Sequence, residues 1–156
     1  LMIINNEPYL IEYNIRMGDP ECQVILPRLK TDLVKIINST VMNKLKKIKI
    51  KWTKNKSMTI VLCSKGYPNS FKKNKIIKNI NKIKISKNDY IYHAGTKFKN
   101  NKLLSNGGRV LNITSVGKNF LNIRKKIISI IKKLNWKDGF YRKDIGWRAI
   151  NKNASY

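Results

Sequence analysis

Acidic side chains are scarce in this sequence. Eight Asp and Glu residues stand against 34 Lys and Arg residues, which gives a formal net charge of +26. By itself, this excess favours a nucleic-acid partner. However, 28 of the 34 basic residues are lysines spread from Lys30 onward, whereas base recognition relies on bidentate arginines. Because Asn and Ile are also abundant, with 20 and 24 copies, we attribute the lysines to an AT-rich genome and expect no specific nucleic-acid partner.

Cysteine, histidine and long apolar runs are also rare or absent. Cys22 and Cys63 lack the spacing of metal ligands, so we expect two reduced thiols in a cytoplasmic protein. His93 is the single histidine, and its neighbours Tyr90 and Tyr92 favour a structural hydrogen-bonding role. The sequence contains no run of 18 apolar residues and opens with no signal-like leader, so we expect neither a membrane span nor secretion.

The most informative stretch lies near the start of the chain, where all three glutamates occur. Over residues 9–15, apolar and polar side chains alternate, which predicts a half-buried β-strand. Residues two apart share one face of a strand. Glu12, Asn14 and Arg16 would therefore present a carboxylate, an amide oxygen and a guanidinium in a row.

This row of polar groups suits a phosphate-bound metal ion. Mg²⁺ is commonly held by one or two carboxylates together with substrate phosphates. Glu12 and Asn14 offer two oxygen ligands side by side, and Arg16 can contact a phosphate oxygen. Alternation alone, however, is typical of many half-buried strands without any site, and taken alone it favours that reading.

A turn and a short helix are predicted directly after this strand. Gly18, Asp19 and Pro20 have turn chemistry, and Glu21 would lie near the positive end of the following helix. The whole run, Glu-x-Asn-x-Arg-x-Gly-Asp-Pro-Glu-x-Gln, resembles the signature of the glycinamide ribonucleotide synthetase family of the ATP-grasp superfamily. Met17 stands where that family usually has Leu or Phe.

The rest of the chain alternates between helical and strand patterns. Thr31 or Asp32 is a candidate cap for a helix whose apolar positions extend to Leu45. The lysine-rich residues 44–56 indicate a linker or an edge strand. Further predictions are a helix over 20–29, strands over 58–63, 90–93, 102–104 and 110–116, a hairpin turn at 100–101, and a helix over 119–134.

Four more stretches resemble the same family in the expected order. They read Gly-Tyr-Pro at 66–68, His-Ala-Gly-Thr at 93–96, Asn-Gly-Gly-Arg-Val-Leu at 106–111 and Asp-Ile-Gly-Trp-Arg-Ala at 144–149. The resemblance therefore covers essentially the whole chain and corresponds to the last third of a synthetase.

The fold implied by the resemblance is α+β. It consists of the C-terminal end of an ATP-grasp domain, followed by a small antiparallel β domain with a covering helix. On this basis we expect residues 1–48 to belong to the ATP-grasp domain, residues 49–150 to form the C-terminal domain and residues 151–156 to be a tail.

The resemblance also implies a reaction, in which glycine is joined to 5-phosphoribosylamine with ATP as substrate in purine synthesis. Glu12 and Asn14 would bind Mg²⁺ or Mn²⁺, and Arg16 would contact the transferring phosphate. Substrate-binding candidates are Asp19, Glu21, Gly107, Gly108 and Arg109. The backbone amides of the Asn-Gly-Gly turn could hold the ribose phosphate, although the same residues also suit a plain hairpin turn.

The partners implied are small molecules, and we expect the full-length enzyme to be a monomer in the cytoplasm. We expect this chain to lack most of the nucleotide site. Two alternatives stay open at this point: an inactive relic of the synthetase and a basic nucleic-acid-binding module.

Overall fold

The computed structural model describes residues 1–151, so part of the predicted tail, 152–156, lies outside the described residues. Two short strands and two helices precede a run of five strands, which is followed by a helix, a short strand and a last helix. The strands are β1 (Met2–Ile4), β2 (Glu7–Tyr9), β3 (Lys56–Ser64), β4 (Asp89–His93), β5 (Thr96–Lys99), β6 (Lys102–Ser105), β7 (Arg109–Gly117) and β8 (Gly139–Phe140). The α-helices are α1 (Cys22–Ile25), α2 (Leu33–Val41), α3 (Phe120–Leu134) and α4 (Trp147–Ile150).

A four-stranded antiparallel sheet in the order β4-β7-β3-β8 forms the centre of the fold. β3 and β7 pair over almost their whole length, with Ile60 opposite Ile113. Apolar side chains on one face of these strands are buried beneath α3, whose own buried stripe includes Ile123 and Ile127. The predicted strands over 58–63 and 110–116 and the predicted covering helix are thereby confirmed.

Two polar signals mark helix and hairpin boundaries as predicted. The side chain of Asn119 accepts hydrogen bonds from the amides of Leu121 and Asn122, at 2.8 and 3.2 Å, and so caps α3. Asn100 and Asn101 adopt φ of 50° and 55°, the left-handed conformation that a tight two-residue β-hairpin turn requires. They connect β5 to β6, which confirms the predicted hairpin turn.

Asp32, one of the two predicted caps, begins α2. Its Oδ1 accepts a hydrogen bond from the Lys35 amide at 2.8 Å. The helix predicted over 20–29 is correctly placed but divided: α1 is followed by a 3-10 turn over Leu26–Arg28. Pro27 accounts for this division, because it has no amide hydrogen to continue the α-helical bonding.

The strand predicted over 9–15 is wrong in extent. β2 ends at Tyr9, and within residues 1–151 no strand pairs with residues 10–16. Ile15, which alternation places in a core, is fully exposed at 102%. A strand depends on a neighbour to satisfy its amide and carbonyl groups, so an alternating sequence without a partner strand leaves the segment extended and unpaired.

Burial divides the described chain into two unlike parts. Each buried residue lies between Ser57 and Trp136, and none lies in residues 1–56. The first third instead carries exposed apolar side chains, including Ile3, Ile11 and Tyr13. Within residues 1–151, no helix has the length and apolar character needed to cross a membrane.

A buried carboxylate joins three elements of the central domain. Asp89, whose side chain is 1% exposed, lies 3.0 Å from the Lys126 ammonium of α3 and accepts a hydrogen bond from the Ser115 hydroxyl of β7. Its second oxygen also accepts bonds from the amide and hydroxyl of Ser86, at 3.0 and 2.8 Å. Burial acts to raise the pKa of the Asp89 carboxyl, but the bonds from Ser115, Lys126 and Ser86 outweigh it and lower that pKa.

We predict that Asp89→Asn lowers the free energy of unfolding by about 2 kcal/mol at neutral pH, because an amide cannot accept all of these bonds. A lowered folded-state pKa stabilises the fold above the unfolded-state value of about 3.9, and this stabilisation is lost as the pH falls through the folded-state value. Urea unfolding between pH 7 and pH 2 measures both effects.

Asp138→Asn is the matched control, because Asp138 is half-exposed and lies 3.9 Å from Lys75. We expect this control to behave as the wild type does. Equal stability of Asp89→Asn and the wild type at pH 7 would contradict the assignment.

Candidate active site

Glu12 and Asn14 lie side by side, as the alternation predicts, although the strand is absent. The Asn14 side-chain amide donates a hydrogen bond to Glu12 Oε1 at 3.0 Å, and both side chains are exposed. Together they present carboxylate and amide oxygens, the donor types that suit Mg²⁺. Within residues 1–151, no group of three or more His, Cys, Asp or Glu residues could hold a metal ion.

Arg16 lies two residues beyond Asn14 and is also exposed. Its Nη1 donates a hydrogen bond to the carbonyl of Met17 at 3.2 Å. Since a guanidinium carries five N–H donors, this contact leaves donors that can bind an anion.

Gly18, Asp19 and Glu21 form a tight turn that leads into α1. Glu21 Oε2 accepts a hydrogen bond from the Gly18 amide at 3.2 Å, and the Cys22 amide donates to the Gly18 carbonyl at 2.9 Å. Asp19 Oδ1 accepts a hydrogen bond from the Gln23 side-chain amide at 3.0 Å. Glu21 and Asp19 thus both shape the turn that follows the polar row.

The structure brings three of the other four motifs together at one end of the central sheet. The Ser64 amide and hydroxyl donate to the carbonyls of Gly108 and Gly107, at 2.8 and 2.9 Å. The Gly95 amide donates to the Arg109 carbonyl at 2.9 Å. The ring of Tyr67, in the Gly-Tyr-Pro loop, packs so closely on Gly108 that a Cβ there would lie 2.1 Å from the ring.

The hydrogen bonds that hold the Asn-Gly-Gly turn do not use its two glycine amides as donors. The donors in those bonds are Ser64 and Gly95, together with the Asn106 amide, which donates to the Gly95 carbonyl at 2.7 Å. The amides of Gly107 and Gly108 take no part in them. Both amides are left as possible donors to an anion, but neither glycine has the positive φ that is typical of an anion-binding nest.

One contact joins this turn to the first motif. Arg109 Nη1 donates to the Asp19 backbone carbonyl at 2.8 Å, and Arg109 Nη2 lies 3.2 Å from Asp19 Oδ2. The two residues are 90 positions apart in the sequence. The sequence patterns mark each residue as a candidate but contain no signal that they pair, and they assign no role to Gln23 or Ser64.

The Cys63 thiol, near this turn, is not activated as a nucleophile. Burial raises the pKa of the Cys63 thiol, although the charge of Arg109 opposes the shift, so the less reactive protonated form is favoured. Cys22 is also a free thiol. His93 Nδ1 lies 3.0 Å from the Thr96 hydroxyl, in agreement with the structural hydrogen-bonding role expected for it.

The last motif, at 144–149, lies at the other end of β3. Gly146 has φ of 81°, and a Cβ at this position would lie 2.4 Å from the terminal methyl carbon of Met58, near the start of β3. Arg124 of α3 donates a hydrogen bond to the Ile145 carbonyl at 3.1 Å. These contacts indicate that this motif packs α4 against α3 and the sheet.

Comparison with known proteins gives consistent results. The family described as "Phosphoribosylglycinamide synthetase, C domain" matches residues 57–148. A phosphoribosylamine–glycine ligase from Agrobacterium fabrum is 45% identical over 150 residues, and the match covers 96% of this chain and 35% of the relative. A chloroplastic ligase of the same name from Arabidopsis thaliana is 40% identical over 145 residues, covering 92% of this chain and 27% of that relative.

A crystal structure of a phosphoribosylamine–glycine ligase from Thermotoga maritima matches the fold with a TM-score of 0.69 at 29% sequence identity. That match covers 92% of this chain and 34% of the other chain. The chain thus spans about a third of the length of bacterial relatives such as these.

We predict that Gly95→Ala destabilises the fold by about 2 kcal/mol through overpacking. A Cβ at Gly95 would lie 2.5 Å from the Arg109 carbonyl oxygen and 2.8 Å from Gly107 Cα, and both are backbone atoms held by hydrogen bonds. Gly107→Ala is the matched comparison, because its nearest contact is 3.1 Å. Urea unfolding should rank Gly95→Ala well below Gly107→Ala in stability; the reverse order would contradict this packing.

Proposed function

Because the chain belongs to the phosphoribosylglycinamide synthetase C-domain family, we propose that it forms the C-terminal third of a phosphoribosylamine–glycine ligase of purine biosynthesis. Relatives that bear this name match almost the whole chain. The observation that carries the proposal is the contact between Asp19 and Arg109, which joins the polar row of the first motif to the Asn-Gly-Gly turn.

The proposed reaction has two steps. A carboxylate oxygen of glycine attacks the γ-phosphorus of ATP, ADP leaves, and glycyl phosphate forms. The amine nitrogen of 5-phosphoribosylamine then attacks the acyl carbon, phosphate leaves, and the amine gives up a proton as glycinamide ribonucleotide forms. Such chemistry depends mainly on positioning and on neutralising charge. It requires no protein nucleophile.

The polar row of Glu12, Asn14 and Arg16 is proposed to bind the metal ion and the phosphate that is transferred in this reaction. Glu12 and Asn14 would bind a Mg²⁺ or Mn²⁺ ion, whose chemical contribution is to neutralise charge on the phosphate oxygens of ATP. Arg16 would contact the phosphate during its transfer and on the acyl phosphate. The exposed position of all three side chains supports this assignment, because substrate must reach them.

The turn at residues 18–21 and the Asn-Gly-Gly turn are proposed to bind the other substrates. Asp19 and Glu21 would shape the neighbouring substrate site. The amides of Gly107 and Gly108 would hold the ribose phosphate of phosphoribosylamine, with Arg109 beside them.

The proposed domain boundary lies near the start of the buried region at Ser57. Residues 1–48 would complete an ATP-grasp domain, and residues 49–150 would form the C-terminal domain. Residues 1–56 contain no buried residue, and many of their apolar side chains are exposed, which supports packing against further parts of a longer enzyme. We propose that this enzyme is a cytoplasmic monomer that acts on small molecules.

We predict that Glu12→Ala slows the reaction and raises the Mg²⁺ requirement. The change is made in a hybrid in which this chain replaces the aligned third of the Agrobacterium fabrum relative. Loss of a metal ligand should lower kcat/KM on the order of 100-fold at low Mg²⁺, equivalent to about 2.7 kcal/mol, and high Mg²⁺ should restore part of the rate.

Glu7→Ala in the same hybrid is the control, because Glu7 is also an exposed glutamate near the first motif but lies in β2. Full activity of Glu12→Ala at low Mg²⁺ would rule out the ligand assignment.

We further predict that the 156-residue chain alone neither binds Mg·ATP with micromolar affinity nor releases ADP. An ATP-grasp site encloses the nucleotide between two lobes, and the chain spans only about a third of its relatives. Calorimetric titration of the isolated chain with Mg·ATP tests this, and micromolar binding would contradict it.

A further inference from the structure

The segment 10–16, which carries the polar row Glu12, Asn14 and Arg16, has few direct connections to the rest of the described chain. Residues 10–16 pair with no strand within residues 1–151. The hydrogen bond between Glu12 and Asn14 and the bond from Arg16 to Met17 both stay within the segment. Within residues 1–151, the polar row is connected to the central sheet through the turn at Gly18 and Asp19 and through α1, which contacts β3 and β7.

Arg109 connects the turn to the central sheet. It is the first residue of β7, and its carbonyl accepts the Gly95 amide at 2.9 Å. Its guanidinium contacts Asp19 at two points, the backbone carbonyl at 2.8 Å and Oδ2 at 3.2 Å. Because a planar guanidinium donates in fixed directions, two-point contact sets orientation as well as distance.

Gln23, four residues after Asp19, contacts the same aspartate. Its side-chain amide donates to Asp19 Oδ1 at 3.0 Å, so both carboxylate oxygens of Asp19 are engaged. Gln23 Oε1 is buried and has no hydrogen-bond partner among the described residues. If the Gln23 side-chain amide were rotated by 180°, its oxygen would face the Asp19 carboxylate and repel it. The hydrogen bond to Asp19 therefore determines which way the Gln23 amide is oriented.

We infer that Arg109 and Gln23 are positioning residues that hold Asp19, and through it the row Glu12–Asn14–Arg16, in place on the C-terminal sheet. This inference rests on the proposed function for its catalytic consequence. Its structural part, that the two residues order the turn at 18–23, stands on the contacts alone. The guanidinium of Arg109 is then used mainly for Asp19, and the phosphate of the substrate is left to the glycine amides of the turn.

Hydrogen exchange on the chain itself tests the structural part without any substrate. We expect Arg109→Ala and Asp19→Ala each to speed exchange of the amides of Cys22, Val24 and Ile25 about tenfold, through local opening. Exchange in the β3–β7 pairing should stay unchanged. Arg142→Ala is the control, since Arg142 forms an exposed ion pair with Asp144 remote from the turn in sequence.

Unchanged exchange at these amides in both variants would overturn the inference, whatever the enzyme proves to do. Gln23→Glu gives a second arm, because it places a carboxylate against Asp19 while keeping the size of the side chain. We expect it to speed exchange at the same amides.

Kinetics of the hybrid with the Agrobacterium fabrum relative test the catalytic part. Positioning predicts that Arg109→Ala and Asp19→Ala both lower kcat about tenfold, with the KM for phosphoribosylamine within about twofold of the wild type. The double variant should be no slower than the slower single variant, since each change removes the same contact between Arg109 and Asp19. Arg109→Lys, which can keep one of the two contacts, should lie between wild type and Arg109→Ala.

A different pattern would overturn the positioning role. If Arg109→Ala mainly raised the KM for phosphoribosylamine while Asp19→Ala had no effect, Arg109 would be a phosphate ligand. If the unmodified hybrid were inactive, the proposed function would fail, but the exchange experiment would still decide whether Arg109 orders the turn.

Discussion

The antiparallel pairing of β3 with β7 is the constraint on which the rest of this structure depends. It runs from Lys56 opposite Gly117 to Cys63 opposite Arg109. The pairing brings the end of β3 and the start of β7 to the same edge of the sheet. The Gly-Tyr-Pro loop follows β3 and the Asn-Gly-Gly turn precedes β7, so one register places both beside each other. The buried face of the same two strands carries α3, which gives the arrangement a rigid base.

The first third of the chain depends on this base rather than contributing to it. It supplies the exposed polar row and the turn at Gly18 and Asp19 but no buried side chain. Contacts of α1 with the central sheet and the ion pair between Asp19 and Arg109 attach it. The proposed site would depend on this attachment, because the distance between the proposed metal ligands and a substrate phosphate would have to be held within a fraction of an ångström.

Much of the central domain could be predicted from local sequence, because the continuous apolar run of β3, the helical stripe of α3 and the Asn119 cap each depend on residues close in sequence. The strand over 9–15 could not be predicted correctly, since a strand also depends on a partner. The contact of Arg109 with Asp19 was equally out of reach, because it depends on the register of a sheet that neither residue's neighbours reveal. The family resemblance marked both residues as substrate-binding candidates without pairing them. It also implied that residues 1–48 are the C-terminal portion of an ATP-grasp domain, which stays a prediction.

The most direct test of the proposed ligase function is ADP release by the hybrid ligase, with glycine and 5-phosphoribosylamine omitted in turn. If the chain is part of such a ligase, sustained ADP release occurs only when both substrates are present. No release from a hybrid that unfolds as cooperatively as the Agrobacterium fabrum enzyme would contradict it. In that case the chain would be an inactive relic of the synthetase, and its basic surface would become the feature to explain.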